Sequence, residues 1–307
     1  MKKDILDFYK GVSVYTNYGP YKEYFNSLTD NIYELAKFVN YQTIHRNTLF
    51  KSYKNNDEVS KKYPWYRLRC EDDILLTAIS MMAELFRLDS NGISMNRRIE
   101  DKIVVTCRYV SVLMASILKA KGIPTRCRSG FCLIHNRYSE PRCGDHWIIQ
   151  YFDTSKVRWI NVDTNLISDL NSDSKYFDFE DSYFTSCAEA WINVRNGKYN
   201  EDYYIHGSNE YGLGMLARSL FYDFHALMND EISYRFFPPF ISNNDKFNKL
   251  TEKDLTELDK LANLMLDPDK NFYKLKDIFD NNKKYRVLNS PLVGDANHLE
   301  LDINNQF

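Results

Sequence analysis

Between residues 106 and 163 the spacing of apolar side chains changes once, from helical to strand-like, and this switch constrains the fold more than any other feature of the chain. Thr106 is an N-cap candidate, and behind it Val110, Leu113, Met114, Ile117 and Leu118 form a stripe at helical spacing. The stripe stops at Lys121-Gly122, and Pro124 follows, which marks the helix end. From Thr125 the period shortens: RCRSGFCLI, a polar loop over 135–144, DHWIIQYF, a DTSK turn and VRWINVD read as strands of a small antiparallel sheet. The expected class is α+β, with one apolar helix packed on that sheet.

The flanks read as helical. Leu28, Ile32, Leu35, Ala36 and Val39 recur at helix spacing, as do Ile74, Leu75, Ile79, Met82, Leu85 and Phe86. Residues 51–67 are polar and aromatic with Pro64 inside them, so a surface loop is expected there. Towards the C-terminus, Leu213, Leu216, Ala217, Leu220, Phe224 and Leu227 share a face, and a second run over 255–266 follows a Thr251/Asp254 capping box. No internal repeat interrupts the pattern. The expected organisation is one domain over 1–307, with a core over 100–167 and helical flanks over 1–99 and 168–307.

With 44% apolar residues among 307, the chain can fill a large core. Its formal net charge of −2 offers no global attraction to nucleic acid or an anionic membrane, so neither is an expected partner. Locally, residues 97–142 hold ten Lys or Arg against three acids, either a solvated basic face or a bias towards acidic substrates. The N-terminal MKKDILDFYKGVSVY lacks the apolar run of a signal peptide, and no stretch approaches a spanning helix. A cytoplasmic protein is expected, and its six cysteines (Cys70, Cys107, Cys127, Cys132, Cys143 and Cys187) are then reduced thiols, not a disulfide framework.

One of those thiols stands where chemistry is favoured. A cysteine at a helix N-terminus meets unpaired backbone N–H groups and the positive end of the helix dipole, both of which stabilise a thiolate. Cys107 is in that position, and its own N–H can serve as one oxyanion donor. A base and an orienting carboxylate complete such a site. If the DTSK turn is centred between Thr154 and Ser155, His146 falls directly opposite Asp163 on one face of the hairpin. Cys107, His146 and Asp163 are therefore the candidate catalytic residues. Trp147 and Trp159, beside them, are candidates to line a pocket, and Arg108 is expected either to contact a substrate carboxylate or to be solvent-exposed at the cleft rim. His45, His135 and His298 are expected to face solvent, His206 and His225 lack a thiol and carboxylate arranged as around His146, and structural or surface roles are expected for all five.

In order, TCRYVSVLMASILKAKGIPTRCRSGF, GDHWIIQYFD and RWINVDTN resemble the transglutaminase-like superfamily, over roughly residues 100–167. More loosely, AEAWINVRNG and the helical tail resemble bacterial stand-alone members. The resemblance implies a papain-like core with Cys107 as nucleophile, His146 as general base and then acid, and Asp163 as the orienting carboxylate. It implies an acyl-transfer enzyme acting on a peptide or carboxamide through a thioester. Thr106 and Asp145 depart from the residues common at those places in the family, Gly and a small residue respectively, which bears on pocket shape. With no EF-hand loop, activity is expected to need no metal and no cofactor. Two other readings stand beside this one. The first is a non-catalytic module on the same fold; the second is a structural zinc site at Cys127, Cys132, Cys143 and His146, against which the spacing and the strand alternation argue.

Overall fold

The structure is a computed structural model that describes residues 1–67, 71–134, 141–167, 174–207 and 209–287. Its contacts group the chain into two compact units, each discontinuous in sequence: Leu6–Arg126 with Ile148–Phe179, and Met1–Ile5 with Cys127–Trp147 and Glu180–Phe307. Residues 100–167, the expected core, contribute to both units. Cys70, His135 and His298 lie outside the described residues.

The first unit is mainly helical, with helices α1 (Lys3–Lys10, starting in the other unit), α2 (Lys22–Ser27), α3 (Ile32–Tyr41), α4 (Arg46–Asn55), α5 (Glu58–Lys62), α6 (Ala78–Leu88) and α7 (Cys107–Ala120). Two short parallel strands, β1 (Thr43–Ile44) and β2 (Ile103–Val104), pair beside them. The expected loop over 51–67 is instead occupied by the end of α4 and all of α5. Asn56 closes α4 in the left-handed region at φ 50°, and Asp57 caps α5 by accepting from the N–H groups of Val59 and Ser60. Both helices are short and polar, which is why apolar periodicity does not reveal them.

Helix α7 packs against α2, α3 and α6. Its fourteen residues are all buried, so the apolar stripe understates its position. Lys119 is only 3% exposed and spends its charge on the Gly11 carbonyl at 2.8 Å. Arg97 is buried with Gln42, Asp101 and two further carbonyls around its guanidinium. Arg108, Arg126 and Arg128 are buried too. Half of the ten basic residues over 97–142 are therefore interior groups and not part of a solvated face.

Strands β3 (Thr125–Ile134) and β4 (Arg142–Asp153) contribute residues to both units. The first unit holds the pairing of β4 with β5 (Arg158–Val162), from Ile149↔Val162 to Asp153↔Arg158. In the second, β4 pairs with β7 (Tyr204–Ile205) and β3 with β6 (Thr185–Ser186). The strand order is β5-β4-β3-β6, with β7 on β4. Gly130 permits the β3–β6 approach, since a Cβ there would lie 2.3 Å from the Thr185 carbonyl oxygen.

The helices of the second unit are α8 (Cys187–Arg195), α9 (Leu213–Leu227), α10 (Asn244–Phe247), α11 (Glu252–Met265) and α12 (Phe272–Asn281). Helix α8 packs on α9 and α11, and Trp191, Leu216, Leu220, Leu258 and Leu261 of these three helices are all buried. The Arg128 guanidinium forks onto Asp223 of α9 with both bonds at 2.8 Å, and the Ser129 N–H donates to the same carboxylate. Among the described residues, no helix is long and apolar enough to cross a membrane.

Candidate functional site

Cys107 is the first residue of α7, directly after the N-cap residue Thr106, whose backbone is extended at φ −95°, ψ 175°. The N–H groups of Tyr109 and Val110 close the first turn onto the Thr106 carbonyl. Position, not hydroxyl, makes Thr106 the cap. Its side chain donates outward to Asp72 Oδ2 at 3.0 Å, and its N–H donates to Asp72 Oδ1 at 3.1 Å. The neighbouring Glu71 accepts the Val104 N–H at 2.8 Å and pairs with Arg67. Two adjacent carboxylates thus fix the backbone on which the cysteine stands. The acidic run EDD is visible in the sequence, but its partners some thirty residues on are not.

The Cys107 side chain is nearly enclosed, with the residue 4% exposed. Its neighbour Arg108 is fully buried, with its guanidinium 4.8 Å from the Tyr15 ring centre and 4.6 Å from that of Tyr109. That places Arg108 inside the first unit, so it is not the solvent-exposed rim residue of the second alternative.

Asp163 follows β5 and is fully buried. Its Oδ1 accepts the N–H groups of Asn165 (3.1 Å) and Leu166 (3.0 Å), and its own N–H donates to the Tyr176 carbonyl. These bonds hold the carboxylate in one orientation at the start of a turn. The hairpin register differs from expectation. Thr154–Val157 form a four-residue turn centred between Ser155 and Lys156, with Val157 at φ 53°. Continuing the ladder past Ile149↔Val162 sets Asp163 level with Ile148, not with His146. The shift is two residues, an even number, so the alternation of faces on β4 and β5 is as expected.

Trp159 of β5 is half-buried, with the Arg126 guanidinium 4.1 Å from its ring centre and Phe152 and Tyr9 packed edge-on at 5.5 and 5.3 Å. These contacts are strand-face packing within the first unit.

His146 and Trp147 belong to the second unit. His146 lies on β4 and is 8% exposed. Trp147 is fully buried and meets the rings of Tyr222 and Tyr234. Asp145 accepts the Gly207 N–H at 2.8 Å and stands 3.5 Å from His206 Nδ1. His206 therefore has a carboxylate neighbour after all, and so has His225, whose Nδ1 lies 2.7 Å from Asp230 and whose Nε2 lies 2.9 Å from the Tyr285 carbonyl. His45 accepts the Asn47 N–H at the start of α4. Cys107, Arg108, Trp159 and Asp163 are thus gathered in the first unit, and His146 and Trp147 in the second.

The other thiols have different surroundings. Burial pushes the Cys143 thiol above its ordinary value, and it pushes the enclosed Cys187 thiol well above, with help from nearby Asp223. Cys127 is fully buried. Among the described residues, no cluster of three or more His, Cys, Asp or Glu side chains is placed to hold a metal ion.

No family model matches the chain, and no curated protein does. A solved structure of a Cytophaga hutchinsonii protein, described as a "putative cysteine protease", is similar to it with a TM-score of 0.34 and 13% identity. That likeness covers 62% of this chain and 50% of the other, so the match spans about half the length of its neighbour.

Proposed function

We propose that the chain is a cysteine-nucleophile acyl-transfer enzyme of transglutaminase-like type that acts on a carboxamide or peptide bond. The reading is carried by Cys107 as the first residue of a fourteen-residue helix, the position at which helix N–H groups and dipole favour a thiolate and an oxyanion together. Asp163, fixed by two backbone N–H groups, has the restraint an orienting carboxylate needs.

In this mechanism His146 takes the thiol proton, and the sulfur of Cys107 attacks the carbonyl carbon to form a tetrahedral intermediate. As the C–S bond is kept, the C–N bond breaks, and the imidazolium gives its proton to the departing amine. His146 then takes a proton from water or from an acceptor amine, whose attack breaks the thioester and restores the thiol. Hydrolysis is the favoured second step because water is always at hand. Asp163 stabilises the imidazolium without itself gaining a proton.

Brief treatment with a limiting thiol alkylator near pH 6, followed by peptide mapping, tests the reading. Cys107 should be labelled first, in a manner that depends on His146, while Cys143 and Cys187 stay unreactive because burial disfavours their thiolates. Equal, slow labelling of all cysteines, unchanged by His146→Ala, would point to a catalytically silent fold. On an amide substrate panel, Cys107→Ala should abolish turnover, and Asp163→Asn should lower it by about 10⁴-fold through the wrong imidazole tautomer.

A further inference from the structure

Thr106 occupies the N-cap position of α7, yet its hydroxyl takes no part in capping. A threonine hydroxyl in this position ordinarily accepts the N–H of the second or third helical residue, here Arg108 or Tyr109. Thr106 Oγ1 accepts neither and donates to Asp72 Oδ2 at 3.0 Å, while Asp72 Oδ1 accepts the Thr106 N–H at 3.1 Å. Thr106 is buried, so water offers the hydroxyl little alternative, and a hydrogen bond to a carboxylate is stronger than one to a neutral partner.

The carboxylate is itself anchored through its neighbour. Glu71 accepts the Val104 N–H at 2.8 Å and pairs with Arg67, whose guanidinium donates to the Glu100 and Lys102 carbonyls at 2.7 and 3.1 Å. Asp72 is therefore placed to decide where the Thr106 hydroxyl goes. The consequence falls on the next residue, Cys107. A hydroxyl oxygen seated over the first turn of α7 would set its lone pairs beside the Cys107 N–H, where the carbonyl oxygen of a tetrahedral intermediate gains its charge.

We infer that Asp72 is a positioning residue for acyl transfer: by drawing the Thr106 hydroxyl outward, it keeps a competing oxygen off the place where the oxyanion forms at Cys107. The inference rests on the reading of Cys107 as the nucleophile.

Two probes separate the demands on that sulfur. With p-nitrophenyl acetate, the thiol proton passes to a base, the C–S bond forms at the carbonyl carbon, the ester C–O bond breaks and p-nitrophenolate leaves. With iodoacetamide, the sulfur displaces iodide at a saturated carbon, and no charge develops on a carbonyl oxygen. Rates at Cys107 are read by peptide mapping of the full-length protein. Asp72→Ala should slow acetylation at least about tenfold and leave alkylation at the wild-type rate or above, because removal of a nearby negative charge by itself speeds both reactions. Thr106→Val on that background removes the hydroxyl that is no longer held, and should restore acetylation; a merely structural role for Asp72 predicts no such rescue. Should Asp72→Ala fail to fold in a thermal melt, Thr106→Asn, which spares Asp72 and brings its own capping oxygen, should lose acetylation and keep alkylation. Acetylation of Asp72→Ala as fast as wild type, or a joint slowing of both reactions without rescue by Thr106→Val, overturns the inference and leaves Cys107 as the nucleophile. Absence of acetylation at Cys107 in the wild type overturns the reading beneath it, and this inference with it.

Discussion

Lys102 holds its ammonium 3.8 Å from the centre of the Tyr41 ring, in a partly enclosed place near Arg97. Burial, with repulsion from Arg97, pulls its pKa down to about 8. Between that value and the unfolded lysine value, the unfolded chain binds the proton more tightly than the folded one, so stability rises with pH across this window. Urea midpoints measured from pH 7 to 9.5 should therefore climb in the wild type relative to Lys102→Met; parallel curves would show that the ammonium is not strained. The same scale sets the limit of sequence reading. Cys107 was legible because a helix start can be recognised from Thr106 and the stripe behind it. The fate of its neighbours was not: Arg108 is caged by Tyr15 and Tyr109, Lys119 is spent on a carbonyl, and Asp72 is recruited by Thr106 from 34 residues upstream. Such partners are fixed by packing between distant segments, which residue spacing along one segment does not encode.

At the scale of elements, helix α11 was readable from its capping box, and both halves of the box form: Thr251 accepts the Asp254 N–H, and Asp254 accepts from the Thr251 N–H. The third member, Lys284, came from beyond α12, and its ammonium donates to Asp254 at 2.7 Å. That bond, followed by those from Thr251, holds the Asp254 carboxyl far below the usual carboxylate range. A depressed carboxylate contributes stability that is complete above its unfolded value and is lost as pH falls towards the folded one. Asp254→Asn should lower stability by about 1 kcal/mol near neutrality. The gap from wild type should narrow in thermal melts taken towards pH 2, and a gap constant with pH would assign the effect to helix propensity alone. The β4–β5 hairpin shows the opposite case. Its parity was legible from alternation, but its register was not, because the turn ends at Val157 in the left-handed region, where a β-branched residue is rare. Asp153 stabilises the turn by accepting from the Ser155 and Lys156 N–H groups, and the four-residue turn moves Asp163 two places along.

For the whole molecule, the consequence of this connectivity is that neither compact unit is a contiguous piece of chain. The backbone passes between them four times, at residues 5–6, 126–127, 147–148 and 179–180. Strand β4 is uninterrupted from Arg142 to Asp153, yet Cys143 and Gly144 pair with β7 in one unit while residues 149–153 pair with β5 in the other. An extended strand loses its restraint along its length when one of its ladders melts, so unfolding of either unit removes support from the pairing of the other. A boundary of this kind is invisible to composition, because no linker-like segment marks it. Fluorescence makes the point testable. Trp159 reports on the first unit, and Trp191, whose indole N–H donates to Asp259 at 2.8 Å, reports on the second. In urea, variants that retain only Trp159 or only Trp191, the other tryptophans being replaced by Phe, should show midpoints that coincide once each is corrected for its own loss of stability by circular dichroism. Midpoints that separate, with a plateau in the far-ultraviolet signal between them, would show instead that each unit holds its share of β4 without the other and that the protein unfolds in two steps.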